Sequence, residues 1–336
     1  MKKNARIIAL LSLIHMGIDF LCAFALYRSL KDWGPGLFFV YNFCAFALQL
    51  PLGMALDYWV EQGDALQPGL FFTFLGVLLT VLGTVTSPYI LGIGNALFHT
   101  GGGVLSIRED EEAAYGGRGL GVFVAPGALG LSLGMILEVP FLPVVVLMSV
   151  FLLILCLRLF VQRGELAPAL APRAGSEGLF ESVLFCFAVV ILRSLTGLSI
   201  SFPWRKGVFL ILFSTLALAA GKTAGGFLSY CWGMKKTVLI TLVSAAVCYA
   251  LGNTLPGGIA ALFFFNMTMP LTLYLLVKKM PQAPGLAFGI LTFALFLGYL
   301  PVYYGLLRSL PPFPAGSAGA LLSLLLLGWA VRREER

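Results

Sequence analysis

Stretches of about twenty apolar residues recur along the whole chain, separated by short polar or proline- and glycine-containing connections. Inside a bilayer every backbone N–H and C=O must be paired within its own segment, so roughly 20 consecutive apolar residues predict a membrane-spanning helix. Charged residues, prolines and glycines punctuate this chain into twelve such helices. They are predicted near residues 6–28, 36–57, 69–86, 88–107, 118–138, 140–160, 179–200, 207–231, 236–252, 256–277, 284–306 and 314–331.

The composition excludes a soluble protein. Hydrophobic residues make up 59% of the chain and charged residues only 11%, whereas a soluble surface needs about a quarter charged residues. The net charge of +7 does not indicate nucleic-acid binding, because the basic residues lie between apolar stretches, where they act as topology signals. The sequence also lacks a nucleophile motif, a metal-ligand cluster and a cofactor motif. We therefore predict that the protein is not an enzyme and has no cofactor and no metal site.

The predicted helices divide into two sets of six. The polar, proline-containing stretch between them predicts an N-terminal six-helix bundle over 1–162, a cytoplasmic linker over 163–178 and a C-terminal six-helix bundle over 179–336. Fifteen of the 22 basic residues fall on the side of the N-terminus and five on the other side. This asymmetry predicts a multi-pass protein of the cell inner (plasma) membrane with both termini in the cytoplasm.

Two segments at the ends of the second and eighth predicted helices are similar to each other. They resemble the motif G-x-L-A-D-R-x-G-R-[RK]-[RK] of the major facilitator superfamily, which closes the cytoplasmic side of its members. The first copy retains Gly53 and Asp57, and the second has Tyr230 in place of the acid. The matching positions of the second copy are Gly226, Leu228, Gly233, Lys235 and Lys236. The resemblance implies an all-α polytopic membrane protein with about twelve transmembrane helices in two pseudo-symmetric six-helix bundles, the major facilitator fold.

The fifth predicted helix contains a proline and several glycines in a spacing similar to the antiporter motif G-x-x-x-G-P-x-x-G-G of the same superfamily. The matching residues are Gly121, Pro126 and Gly130. The resemblance implies export by antiport, although proline and glycine also kink and closely pack membrane helices of any function. The segments His15-x-x-x-Asp19 and Asn95-Ala96-Leu97-Phe98-His99 are similar to those of fosmidomycin-resistance-like exporters.

Few ionisable side chains lie at membrane depth, and these are functional candidates because burying them is expensive. His15 and Asp19 are four residues apart and therefore on one helical face, and Asn95 and His99 repeat that spacing in the fourth helix. The superfamily resemblance implies that both helices line a cavity. We predict that Asp19 couples transport to protons, with His15 and His99 tuning or relaying the proton. The alternative is that each histidine is a hydrogen-bonded packing residue.

Two cations lie deep in the second half of the chain. Arg193 falls about fourteen residues into the seventh helix, and Lys222 lies two-thirds along the eighth. A guanidinium fork and an ammonium suit a carboxylate or phosphonate, so we predict an anionic substrate. The alternative is that one of these cations neutralises Asp19 as a structural or gating ion pair. Uncharged candidates for substrate binding are Asn42, Asn95 and Asn266. The acidic run over 109–112 is expected to be a solvated cytoplasmic loop.

These residues together favour a secondary active transporter that uses alternating access and exports a small organic anion or drug-like compound in exchange for protons. The expected partners are a small anionic substrate, protons and the lipid bilayer, with no nucleic acid, and the expected state is a monomer. Two alternatives stay open at this point. One is a proton-coupled anion importer or symporter, and the other is a transport-inactive membrane scaffold or sensor.

Overall fold

The structure is a computed structural model that describes residues 2–34, 36–61, 67–170 and 178–332. Within these ranges it contains fourteen α-helices and no β-strand beyond one isolated bridge between Ile200 and Leu310. The predicted all-α class is confirmed. The predicted linker is described only from Arg163 to Leu170 and at Gly178, and its residues 171–177 lie outside the described part.

The chain forms two compact units. The first comprises Met1–Tyr115, Val122–Pro172 and Gln282–Phe293. It therefore includes most of the helix Arg118–Ile136 and the first half of the helix Pro284–Tyr303. Its helices are α1 (Lys2–Tyr27), α2 (Leu37–Asn42), α3 (Gln49–Glu61), α4 (Pro68–Gly83), α5 (Pro88–Glu112), α6 (Arg118–Ile136) and α7 (Phe141–Val161). A short π-helical segment, Phe43–Ala47, joins α2 to α3.

The second unit comprises Gly116–Gly121, Arg173–Pro281 and Ala294–Arg336. Its helices are α8 (Leu179–Ser199), α9 (Gly207–Trp232), α10 (Met234–Ala250), α11 (Leu255–Asn266), α12 (Thr268–Lys279), α13 (Pro284–Tyr303) and α14 (Ser317–Arg332). The loops that follow α8 and α13 pair through backbone hydrogen bonds, from Ser201 N–H to the Leu310 carbonyl and from Leu310 N–H to the Ser199 carbonyl.

Ten helical segments of the described residues are long and apolar enough to cross a membrane. In these, α2 and α3 count as one segment and so do α11 and α12. Two further helices, α4 with 16 residues and α10 with 17 residues, fall below that length. At 1.5 Å per residue α4 extends about 24 Å, somewhat less than the hydrocarbon core of a bilayer. Ten long segments and two shorter helices correspond to the twelve predicted spans.

Glycines set a close contact between two helices of the first unit, α4 and α5. A Cβ at Gly76 would overlap the Phe98 backbone, and one at Gly83 would overlap the Leu91 backbone. In the reverse direction Gly94 faces Thr80 of α4. In membranes helices associate through such close backbone approach, because lipid offers no hydrophobic driving force between them. The contact fixes α5, the helix that carries Asn95 and His99.

The acidic run after the fourth span is not a solvated loop, so this expectation was wrong. It forms the last turn of α5, in which Glu109 is fully buried and Asp110 is 1% exposed. Glu109 accepts hydrogen bonds from the Asn4 side-chain amide at 2.8 Å and from the Ala167 backbone N–H at 2.7 Å. The carboxylate thereby joins α1, α5 and the segment that follows α7, which a pattern of consecutive acids does not indicate.

Candidate functional site

Three ionisable side chains converge inside the first unit. The Nε2 atoms of His15 on α1 and His99 on α5 are 2.9 Å apart. The carboxylate of Asp19 lies beside both rings, with Oδ2 at 3.2 Å from His15 Nε2 and Oδ1 at 3.6 Å from His99 Nε2. The two histidines are buried, and the Asp19 side chain is 17% exposed. The sequence predicted these residues singly or in pairs, and the fold brings all three together.

Polar neighbours extend this cluster along α1 and α5. The Asn95 amide donates to Asp19 Oδ1 at 3.3 Å and approaches Cys22 Sγ at 3.5 Å. Tyr41 of α2 forms a hydrogen bond with Cys22 and interacts electrostatically with Asp19. Asn95 therefore belongs to the Asp19 cluster in this structure, whereas the sequence assigned it to substrate binding.

Aromatic side chains form the apolar wall of the cluster. The His15 ring centroid lies 4.9 Å from that of Phe123 and 6.0 Å from that of Phe98, and both phenylalanines are fully buried. Water is thus kept from this side of the rings, and electrostatic interactions are strengthened in such a low-dielectric site. The three acidic and basic atoms lie within 4.8 Å of one another, which is also close enough for one metal ion.

The proline of the antiporter-like motif lies next to the carbonyls of α6 that contact this cluster. Pro126 lies inside α6 and has no N–H to donate to the Val122 carbonyl four residues earlier. The Ser12 hydroxyl of α1, which donates to the Ile8 carbonyl at 2.7 Å, also lies 3.3 Å from that carbonyl. One residue further, the Phe123 carbonyl lies 2.8 Å from His15 Nδ1. The turn of α6 before Pro126 therefore presents two successive carbonyls to one face of α1.

Small residues after the proline let α6 approach α1 closely. A Cβ at Gly127 would overlap His15 Nε2 and the Asp19 carboxylate, and Cβ atoms at Gly130 and Gly134 would overlap the backbone of α1. Gly121, at the start of the motif, packs against the Lys222 and Thr223 backbone within the second unit. In the described structure these glycines act in close helix packing, and antiport remains a prediction.

The first copy of the gating motif forms a helix cap. Asp57 at the end of α3 accepts the backbone N–H groups of Gly285 at 2.9 Å and Leu286 at 2.7 Å, in the first turn of α13. Gly53 permits this approach, because a Cβ there would overlap the Gly285 carbonyl. Arg108 of α5 interacts electrostatically with Asp57. The carboxylate thus satisfies two of the N–H groups that a helix start leaves unpaired.

The second copy uses an aromatic ring where the motif has an acid. The guanidinium of Arg118 lies 3.6 Å from the centroid of the Tyr230 ring, a cation–π contact. Gly226 lies against the Gly117 carbonyl, and Gly233 has a φ of 81° at the break between α9 and α10. Lys235 and Lys236 are exposed in the first turn of α10.

The predicted substrate ligands of the second unit differ in their surroundings. Arg193 of α8 is 8% exposed, and its Nη1 atom has no hydrogen-bond partner in the described residues. Lys222 is half-buried on α9. Asn266 donates to the Leu262 carbonyl of its own helix at 2.8 Å. In the first unit Asn42 similarly donates to Phe38, at 2.7 Å.

The fold of this chain is similar to the folds of solved transporter structures. A variant of the Escherichia coli fucose:proton symporter FucP matches with a TM-score of 0.65 and 13% identity over 98% of each chain. The human organic anion transporter MFSD10 matches with a TM-score of 0.64 and 16% identity over 96% of this chain and 99% of the other. The chain has the major facilitator fold.

A second FucP structure, in the outward conformation, supports the same fold with a TM-score of 0.58 and 13% identity over 97% of this chain. No protein-family model matches the sequence, and no curated protein matches it either. The major facilitator fold predicted from the motifs is therefore confirmed by structure. The resemblance to fosmidomycin-resistance-like exporters is not confirmed.

Proposed function

We propose that the protein is a proton-coupled secondary transporter that exports a small organic anion by alternating access. The observation that carries this proposal is the convergence of His15, Asp19 and His99 inside a membrane-spanning unit. Two imidazoles and a carboxylate at contact distance form a group that can share, bind and release a proton. A cluster that served packing alone would not need three ionisable side chains at membrane depth.

The anionic nature of the substrate rests on the second unit. The guanidinium of Arg193 is buried with one nitrogen lacking a hydrogen-bond partner in the described residues, an arrangement that is costly unless a ligand completes it. A carboxylate or phosphonate fits a guanidinium by paired, charge-assisted hydrogen bonds. Lys222 is proposed as a second cation for the same ligand. The similarity to a human organic anion transporter agrees with this substrate class.

Two directions of coupling are consistent with the cluster. Export in exchange for protons follows from the antiporter-like segment with Gly121, Pro126 and Gly130. Symport of an anion with protons is the second candidate, and the similarity to a fucose:proton symporter favours it. The distribution of basic residues supports an inner (plasma) membrane protein with both termini in the cytoplasm. We propose that it acts as a monomer.

The test is flux in proteoliposomes under an imposed pH gradient, with a panel of small carboxylates, phosphonates and uncharged sugars. In antiport the anion moves in the direction opposite to the proton flux. In symport the anion and the protons move in the same direction. A protein that moves neither protons nor any anion of the panel would be a scaffold or sensor, and the proposal would be rejected.

Single-residue variants test the two proposed roles, proton coupling by Asp19 and anion binding by Arg193. Asp19→Asn is expected to abolish proton-coupled flux while leaving anion exchange at equal pH, and Arg193→Ala is expected to weaken anion transport at every pH. Lys206→Ala, which changes an exposed cation in the loop before α9, is the matched control. Wild-type flux from a double variant with Arg193→Ala and Lys222→Ala would remove both residues as substrate ligands.

A further inference from the structure

The hydrogen-bond partners of the two histidines fix where their protons lie. The Nδ1 atom of His15 is 2.8 Å from the Phe123 carbonyl, and that of His99 is 2.9 Å from the Asn95 carbonyl. A carbonyl oxygen only accepts hydrogen bonds, so we assign a proton to Nδ1 of both rings. In a neutral imidazole only one nitrogen carries hydrogen. Both Nε2 atoms would therefore bear lone pairs if both rings were neutral.

Two such lone pairs do not remain in contact. The Nε2 atoms are 2.9 Å apart, a normal distance for an N–H···N hydrogen bond and a repulsive one for two acceptors. We propose that His15 and His99 share one proton between their Nε2 atoms, with the Asp19 carboxylate as counter-charge, and that this is the proton the transporter exchanges. The last clause rests on the proposed function.

Charge balance supports a single shared proton. The protonated imidazole pair carries +1 and Asp19 carries −1, so the buried assembly is neutral, as a low-dielectric site requires. If a second proton were placed between the rings, two N–H groups would face each other. A second proton therefore binds to the Asp19 carboxylate instead. Among the described residues of the same unit, the titratable groups that interact with Asp19 of this assembly are Cys22 on α1 and Tyr41 on α2. Phe98 and Phe123 cover the His15 ring on the apolar side.

Loss of the shared proton changes the contact between two helices. Deprotonation leaves two lone pairs facing each other beside a carboxylate, and the rings must then separate. His15 is carried by α1 and His99 by α5, so occupancy of one proton site is linked to the fit of these helices. The turn of α6 before Pro126 contributes to this arrangement, because its Phe123 carbonyl holds His15 Nδ1 and thereby aims Nε2 at His99.

The chain contains only two histidines, which makes a direct test feasible. Full-length protein labelled with nitrogen-15 in histidine gives two imidazole spin systems in a magnetic-resonance spectrum. We expect both Nδ1 atoms to be protonated, both Nε2 resonances to lie between the protonated and unprotonated ranges, and a scalar coupling across the hydrogen bond. Both rings should titrate together, with one proton released per chain.

Three results would overturn the proposal. These are two independent titration midpoints, an unprotonated Nδ1 on either ring, or a spectrum that changes when a chelator is added, which would put a metal ion in the place of the proton. The variants His15→Gln and His99→Gln should each leave one ordinary imidazole, and thermal unfolding checks that they fold.

Flux measurements separate this inference from the proposed function. If flux is proton-coupled but the two imidazole rings are independent and neutral, the proposed function is kept and the shared proton is rejected. A shared proton in a protein that moves no protons would reject its role in exchange.

Discussion

The carboxylate of Asp57 accepts the backbone N–H of Gly285 at 2.9 Å, although 228 residues separate the two along the chain. The same side chain accepts the N–H of Leu286, so Asp57 caps α13 from outside that helix. Asp57 is one of the two motif residues that the first copy retains, and its carboxylate makes this specific contact with the start of α13. A capping carboxylate acts through hydrogen bonds and through the dipole of the helix start.

Replacing this cap should destabilise the protein. We expect Asp57→Ala to lower the free energy of unfolding by about 1–2 kcal/mol, the usual value of a helix cap, and Asp57→Asn to lower it less because an oxygen acceptor remains. Thermal unfolding in detergent measures the difference. Asp32→Ala removes an exposed acid at the end of the loop after α1 and should leave the melting temperature unchanged. Equal melting of all three variants would contradict the capping role.

Gly127→Ala should disrupt the ionisable cluster. The added methyl group would overlap His15 Nε2 and the Asp19 carboxylate, both of which are held by further hydrogen bonds. We expect a loss of about 1–3 kcal/mol in stability, typical of overpacking, together with a shifted pH profile of flux. Gly328→Ala in α14, where nothing lies within 4 Å of the added Cβ, is the control. A wild-type pH profile in Gly127→Ala would show that the cluster does not govern coupling.

Arg193→Leu should stabilise the empty protein and remove its response to anions. The buried guanidinium of Arg193, whose Nη1 atom has no hydrogen-bond partner among the described residues, carries a desolvation penalty of about 1–3 kcal/mol, which leucine avoids. Arg193→Lys keeps the charge and should show no such gain. Melting temperature with and without a transported anion measures both effects. If Arg193→Leu instead melts at a lower temperature, the residue is part of a structural ion pair, and its role as a substrate ligand is rejected.

Glu109→Ala should release the segment that follows α7. The carboxylate accepts the Ala167 N–H and the Asn4 amide in a fully buried position, and its removal leaves both donors unsatisfied at a cost of about 1–3 kcal/mol each. Hydrogen exchange at the Ala167 amide should accelerate, whereas Glu109→Gln, which keeps an acceptor, should retain most protection. Glu112→Ala removes an exposed acid three residues further along α5 and serves as the control. Unchanged exchange in Glu109→Ala would show that this contact does not hold the segment.

Short-range patterns predicted part of the candidate site. The spacing of His15 and Asp19 and of Asn95 and His99 identified two polar faces, because residues four apart share one side of a helix. The expectation of a solvated loop failed for Glu109 and Asp110, because burial at a helix end depends on which other segments cover it. Ser12, Tyr41 and Gly127 were missed as members of the cluster. The proline at 126 was the available signal for Ser12, since a carbonyl freed inside a membrane helix needs a donor.

The sequence alone determined that this protein is a multi-pass membrane protein, that it is helical and that it has about twelve spans. These properties depend on apolar length and on backbone hydrogen bonding within each segment, which are local. Only the tertiary structure decided that His15 and His99, 84 residues apart, face each other, and that Asp57 caps a helix of the other half of the chain. Those contacts depend on helix rotation and on close glycine packing between distant segments, which no local pattern encodes.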